Sequence, residues 1–399
     1  MTAAPDFAIS AELRADLKRW RTRSLLTGGA GAALCCLGFF LAPFQFYRSY
    51  LWSYIFVVGL SVGSLAWLML QYLTGGAWGV AIRRPCEAAA RTLPLVALMF
   101  LPILIGIPNL YPWSHANIVA ADALLRQKHA YLNLPFFVVR AALYFAGWML
   151  FSWRLNHWSA VEDREGPGRA HGRLARLAGP GLVFWGFSVT FMAIDWALSL
   201  NPHWFSTIFG MLFMVGQALS SLAILITLLV LLSYRRPMSE ILTPRHLHDL
   251  GKLLLALVMV WAYFSFSQFL IIWAGNLPNE IPWYMARMRG GWQFVALGLV
   301  LFHFALPFAL LLSRDLKRNF KLLASIAVLV LFMRLVDLYW LVAPDFAKGA
   351  TPGGSWLDVA APIGVIGLWL AYFLTQLERR PLMPLHDPQL REALEHGRE

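Results

Sequence analysis

The sequence predicts an all-α polytopic membrane protein of about ten transmembrane helices, and three observations carry that reading. Of its 399 residues, 59% are hydrophobic and only 14% are charged, with a mean hydropathy of +0.60. A soluble domain sits near about 45–50% apolar and about 25% charged. Ten stretches are long and apolar enough to cross a hydrocarbon layer, which takes about 20 residues each. Alternating strands of the kind a membrane barrel needs are absent from the sequence, so backbone hydrogen bonding in lipid leaves a helical bundle.

In chain order the spans are expected near 24–45, 50–73, 88–107, 134–153, 179–200, 204–233, 250–274, 291–313, 322–343 and 356–377. Before the first of them, "ISAELRADLKRWRTR" is polar and amphipathic and reads as a helix on the cytoplasmic surface. It has neither the short apolar core nor the small-residue cleavage site of a signal peptide. Short outer loops are expected at 46–49, 201–203 and 344–355. The outer segment 108–133 is longer and reads as carrying an amphipathic surface helix. The inner segment 154–178 is polar and glycine-rich and reads as a flexible loop.

The net charge of +12 reflects topology. With the N-terminus inside, the inner segments hold 25 of the 33 lysines and arginines and the outer loops six. That bias places both termini in the cytoplasm, and the basic balance needs no nucleic-acid partner. Trp52, Trp113, Trp204, Trp283, Tyr284 and Trp356 fall at the outer boundary, as an interfacial belt does. A quinone headgroup could also stack on some of them.

A faint repeat runs through the chain. "VGLSVGSLAWL" (58–68) aligns without gaps to "VGQALSSLAIL" (215–225), and "FMAIDW" (191–196) echoes "FMRLVD" (332–337). These matches divide the chain into two parallel four-helix bundles, spans two to five and six to nine, with spans one and ten added at the ends. The corresponding segments are 1–23 (N-terminal), 24–46 (first flanking span), 47–203 and 204–344 (bundles), 345–378 (last flanking span) and 379–399 (tail). Shared small-residue packing faces would give the same echo.

Ionisable groups inside spans cost about 2.5–3.5 kcal/mol each on insertion scales and mark functional sites by default. Arg334 and Asp337 stand at i, i+3 in span nine and can pair on one helix face. Asp195 in span five lies at a similar outer depth, and Arg140 in span four could pair with it. His303 is near mid-membrane in span eight. Span seven adds Ser265, Ser267 and Gln268. Glu87, with Arg83 and Arg84, sits at the inner mouth of span three, and Glu280 lies in the outer loop after span seven. Together they form a scattered polar path for protons: Glu87 within, His303 and the span-seven hydroxyls between, Asp195 and Asp337 outside. Arg140 and Arg334 cannot deprotonate, so they hold the charged forms of the acids. The alternative is that the charged pairs only lock helices together.

Redox ligands are missing from the sequence. His303 is the one deep histidine of ten, whereas a b-type haem needs two axial ligands on facing helices. Cys35, Cys36 and Cys86 form no CxxC or CxxCH pattern, and no GxxxxGK[ST] loop occurs. No cofactor of its own is therefore expected.

Four stretches carry a family resemblance: "TGGAWGVAIRRPCEAAARTLPLVALMFLPILIG" (74–106), "DWALSLNPHWFSTIFGMLFMVGQ" (195–217), "YFSFSQFLIIWAGNLPNEIPWY" (263–284) and "RLVDLYWLVAP" (334–344). They resemble the ActF-type subunits of bacterial alternative complex III, a quinol:cytochrome c oxidoreductase; these belong with the NrfD- and PsrC-like membrane subunits. The resemblance covers about residues 24 to 380. It implies ten spans with two internal four-helix bundles and no redox centre. It implies the bacterial inner membrane and, as partners, an ActC-like membrane subunit, an iron–sulfur subunit and a multihaem cytochrome c. Quinone binding and help with proton translocation are also implied, the latter falling on Asp195 and Asp337. The family pattern has two acids after span seven; here "NLPNE" keeps Glu280 and replaces the first with Asn279. A stand-alone secondary transporter and a purely structural scaffold are the competing readings.

Overall fold

The computed structural model describes residues 7–166, 171–346, 352–387 and 390. Among them are ten helical spans long and apolar enough to cross a membrane, so the all-α polytopic expectation holds. The remainder of the N-terminal segment, of the loops at 154–178 and 344–355 and of the tail lies outside the described residues.

Helix α1 (Ala11–Leu41) starts at Ser10, whose side chain accepts from Leu13 N–H. The amphipathic segment is thus not a separate surface helix. It is the first turns of the span itself, because no breaker separates the two. Its charges find partners just past the ends of α19 and α11: Arg21 bonds Glu378 at 2.9 Å and Asp16 accepts from Arg235 at 2.8 Å. Helix α2 (Pro43–Thr74) follows with Pro43 at its first turn.

Span three is broken into α3 (Ala77–Ala90), α4 (Leu93–Leu98), α5 (Leu101–Ile105) and α6 (Ile107–Leu110). Pro94, Pro102 and Pro108 each stand in a first turn, where a missing N–H is tolerated. The breaks free carbonyls, and α2 supplies donors: Tyr54 OH bonds Val96 O at 2.9 Å and Tyr50 OH bonds Met99 O at 2.7 Å. Buried backbone acceptors need such partners in lipid. The outer segment then forms two short helices, α7 (Ala116–Ala121) and α8 (Ala123–Lys128), where one surface helix was expected. Asp122 caps α8 and divides the two.

Helices α9 (Leu134–Glu165) and α10 (His171–Trp196) extend well past their expected inner borders. Most of the segment read as a flexible loop is therefore helical, held by ion pairs from Glu162 and Asp163. Then come α11 (Phe209–Leu232), the short α12 (Met238–Ile241), α13 (Pro244–Gly275) and α14 (Ile281–Arg287). Span eight is α15 (Trp292–Gly298), a π-helical segment (Leu299–Ala305) and α16 (Leu306–Leu312). Pro307 cannot donate to the His303 carbonyl, which fits the widened turn before it. The chain continues through α17 (Arg314–Arg318) and α18 (Phe320–Val342) to α19 (Leu357–Leu377).

The two segments of the repeat meet at the centre. Helix α2 is almost wholly buried and α11 largely so. They pack on each other, with Trp67 Nε1 donating to Ala218 O at 2.9 Å across the interface. Around α2 lie the pieces of span three and α10, and around α11 lie α13 and α18. Helices α1 and α19 form a flanking pair with backbones in contact. A Cβ on Gly31 would fall 2.4 Å from Gly364 N, and one on Gly28 would fall 2.5 Å from Leu368 N. Van der Waals packing of small residues is what holds helices together where lipid removes the hydrophobic drive. Gly31→Leu should therefore release α1, costing at least the about 1–3 kcal/mol of an overpacked site. Faster proteolysis within 11–41 in detergent would show it.

Candidate functional site

Three buried charged clusters hold the acids singled out from the sequence as a proton path, and they differ in kind. At the end of the bundle expected to face inward, Arg83 and Arg84 of α3 are buried against Glu87. Arg83 also bonds Glu162 at 3.0 Å and pairs with Asp387, and Arg84 bonds Asp163 at 2.6 Å. Arg380, past the end of α19, reaches Glu87 at 3.0 Å, and the Ser159 hydroxyl donates to Glu87 at 2.6 Å. With Arg91, which bonds Asn156 at 2.8 Å, four arginines face four acids. Glu87 is thereby saturated, and it ties the tail to spans three and four rather than opening toward His303. Glu87→Gln should cost about 3–5 kcal/mol by leaving buried cations uncompensated. It should also speed proteolysis in 381–387, which a time course on the purified chain would register.

The second cluster lies in the first bundle. Arg140 of α9 grips Asp195 of α10 with two bonds, Nε to Oδ2 at 2.8 Å and Nη2 to Oδ1 at 2.9 Å. Tyr144 adds an O–H donor at 2.7 Å. Arg140 also bonds Tyr131 O at 2.9 Å and lies over the Tyr131 ring at 3.8 Å. Both carboxylate oxygens are taken and the residue is fully buried. The expected cross-helix pairing is present, and its geometry is that of a lock.

The third cluster opens on space. Asp337 of α18 accepts from Arg334 on the same helix and from Trp261 Nε1 at 3.1 Å, both on Oδ2. Arg334 fits there because residue 216 is glycine: a Cβ would fall 2.2 Å from its guanidinium carbon. The indole of Trp261 meets the His303 ring edge-on at 4.3 Å. His303 is completely buried, and neither ring nitrogen has a hydrogen-bond partner among the described residues. Buried polar groups without partners are rare, and π-helical turns such as the one carrying His303 are frequent at functional sites.

Asp337 lines a cavity of about 630 Å³ between α13, α14, span eight and α18. Its walls are aromatic and aliphatic, including Phe269, Phe304, Phe308 and Trp340. Exposed Tyr263, Phe266 and Val300 rim it on the outside of the helix bundle. Ser265 lines it, whereas Ser267 does not. At its outer part Gln268 donates to the Tyr284 hydroxyl at 3.2 Å and accepts from Ser206 at 2.8 Å. Burial pushes the Tyr284 hydroxyl up to about 12, so it stays protonated and can donate a hydrogen bond.

So the structure brings Asp337, Arg334, His303 and Ser265 to one place and leaves Asp195 with Arg140 and Glu87 with Arg83 in two others. Glu280 precedes α14 at the outer end. Trp261 and Gly216 were missed as site residues by sequence reasoning, and Tyr284 was named only as one of the boundary aromatics. Trp261 is one of 18 tryptophans, and only its packing singles it out. Among the described residues, no three side chains of His, Cys, Asp or Glu converge as a metal site. No protein-family model matches the chain, and comparison with curated proteins gives no match.

Proposed function

We propose that this chain is an integral subunit of a quinol-oxidising respiratory complex of the alternative complex III kind. In this reading it lies in the bacterial inner membrane with both termini in the cytoplasm, beside an ActC-like subunit, an iron–sulfur subunit and a multihaem cytochrome c. It carries no redox centre and supports proton movement coupled to quinol oxidation. The resemblance of the four quoted stretches supports the family, and the cavity beside Asp337 is the observation that carries the role. Ligand sites are mostly apolar clefts of about 300–1,000 Å³ with a few placed polar groups. This one opens toward lipid and offers an indole-bound carboxylate and a tyrosine hydroxyl. A quinone ring with its isoprenoid tail has that shape and polarity.

Asp337 would exchange the proton, with Arg334 as its fixed partner and His303 as the next group inward. Asp195 and Glu87 are enclosed by cations and hydroxyls, which favours their holding helices. The scaffold reading is separated by exchanging the pair, Arg334→Asp with Asp337→Arg. A scaffold keeps assembly and quinol:cytochrome c turnover, whereas an oriented proton site keeps assembly and loses turnover. A transporter would need broken helices at matching places in both halves; span three is broken, and its counterpart α13 runs unbroken from Pro244 to Gly275.

A further inference from the structure

We propose that the inner ends of α13, α17 and α18 form a binding site for the phosphate headgroup of an anionic phospholipid. The proposal stands apart from the respiratory reading and rests on Lys317. This lysine is only 6% exposed, and its side chain makes no hydrogen bond or ion pair among the described residues. Its stem lies in a slot that exists because residue 251 is glycine: a Cβ there would fall 2.9 Å from Lys317 Cγ. The stem is fixed while the ammonium at its end reaches the surface with no counter-ion among the described residues, so it is placed to take an anion.

Its surroundings are positive. Lys252 follows Gly251 on α13, and both it and Arg318 act electrostatically with Lys317 on His248. Burial and the charge of Lys252 lower the pKa of Lys317, as an uncompensated cluster requires. The carboxylate of Asp249 faces the group but is engaged by Lys252 at 2.7 Å. Across 245–252 and 314–321 there are six lysines and arginines against two acids.

The place selects a lipid over a soluble partner. Gly251 lies two turns inside a membrane-crossing helix, close to the depth of a headgroup. Leu312 and Leu322, 59% and 49% exposed, flank the basic residues and offer apolar surface to acyl chains. A phosphate held by Lys317, Lys252 and Arg318 with its chains along those leucines satisfies both halves. Basic pockets at the cytoplasmic ends of spans take such headgroups.

The test uses the full chain in zwitterionic detergent. Phosphatidylglycerol at a hundredfold excess over half-saturation should raise its thermal midpoint by about 3–5 °C. The same amount of phosphatidylcholine, inorganic phosphate or polyglutamate should not. Lys252→Gln with Lys317→Gln should abolish the shift, and Arg379→Gln, at an exposed arginine two residues past the end of α19, should keep it. Native mass spectrometry reads the same site without a melting transition: the double variant should retain one phosphatidylglycerol fewer per chain. An unchanged lipid count in the double variant would overturn the proposal. So would an equal shift with phosphatidylcholine (no headgroup selection), with phosphate alone (an ion site) or with polyglutamate (an acidic protein surface).

Discussion

Asp337→Asn, in a complex that still assembles, lowers quinol:cytochrome c turnover by about 10²-fold, the low end of what a positioned acid–base group contributes. Asp195→Asn is the matched control. It breaks a buried pair of the same chemistry in the other bundle, where both carboxylate oxygens are already taken. It should lower the thermal midpoint while turnover per folded molecule stays near the parent value. Steady-state turnover normalised to folded, assembled complex separates the two effects. If both variants lost turnover alike, the acids would act together, and the division of roles between the bundles would be wrong.

The second large effect is on stability. Arg334→Met leaves the Asp337 carboxylate buried with Trp261 as its remaining partner. Removing one member of a buried pair costs about 3–5 kcal/mol, whereas replacing both by apolar groups of like volume is often neutral. Arg334→Met with Asp337→Leu should therefore recover most of the stability that Arg334→Met loses. Gly216→Ala should resemble the single variant, because its methyl would occupy the space of the guanidinium. Thermal midpoints of the three variants in one detergent check the series. Recovery of stability without recovery of turnover in the double variant would show that the pair is kept for more than packing.

How far the sequence reached depended on the kind of signal. Span number was legible because each helix must satisfy its own backbone in lipid, and about 20 apolar residues suffice to show it. Asp195, Asp337, Arg140 and Arg334 were legible because charge in an apolar run is costly, and the pairings Arg140–Asp195 and Arg334–Asp337 followed from depth and spacing. The separation of Glu87 from His303 was not legible. Glu87 looked like the inner start of a path, but the cluster that encloses it draws Arg380 and Asp387 from the tail and, through Arg83 and Arg84, Glu162 and Asp163 from a stretch expected as a loop. Charges there read as solvated until the chain folds back. The same contacts lengthen α9, which explains why a polar stretch taken for a loop is helical. Trp261 and Tyr284 could not be singled out, since indoles and phenols at membrane boundaries are common. The seat for Arg334 depends on Gly216, which the repeat highlighted as a conserved feature of packing faces within this chain but could not connect to a charge 118 positions away.

The central claim is that the cavity beside Asp337 receives a lipophilic ring. A photoreactive quinone analogue, irradiated with the intact complex in its membrane, tests this most directly. The expected adducts map to Met259–Phe269 and Asp337–Leu341, two of the walls of the cavity, and they disappear when Ala296→Trp fills it. Adducts confined to other subunits, or adducts on these walls that survive the filled cavity, would contradict the claim.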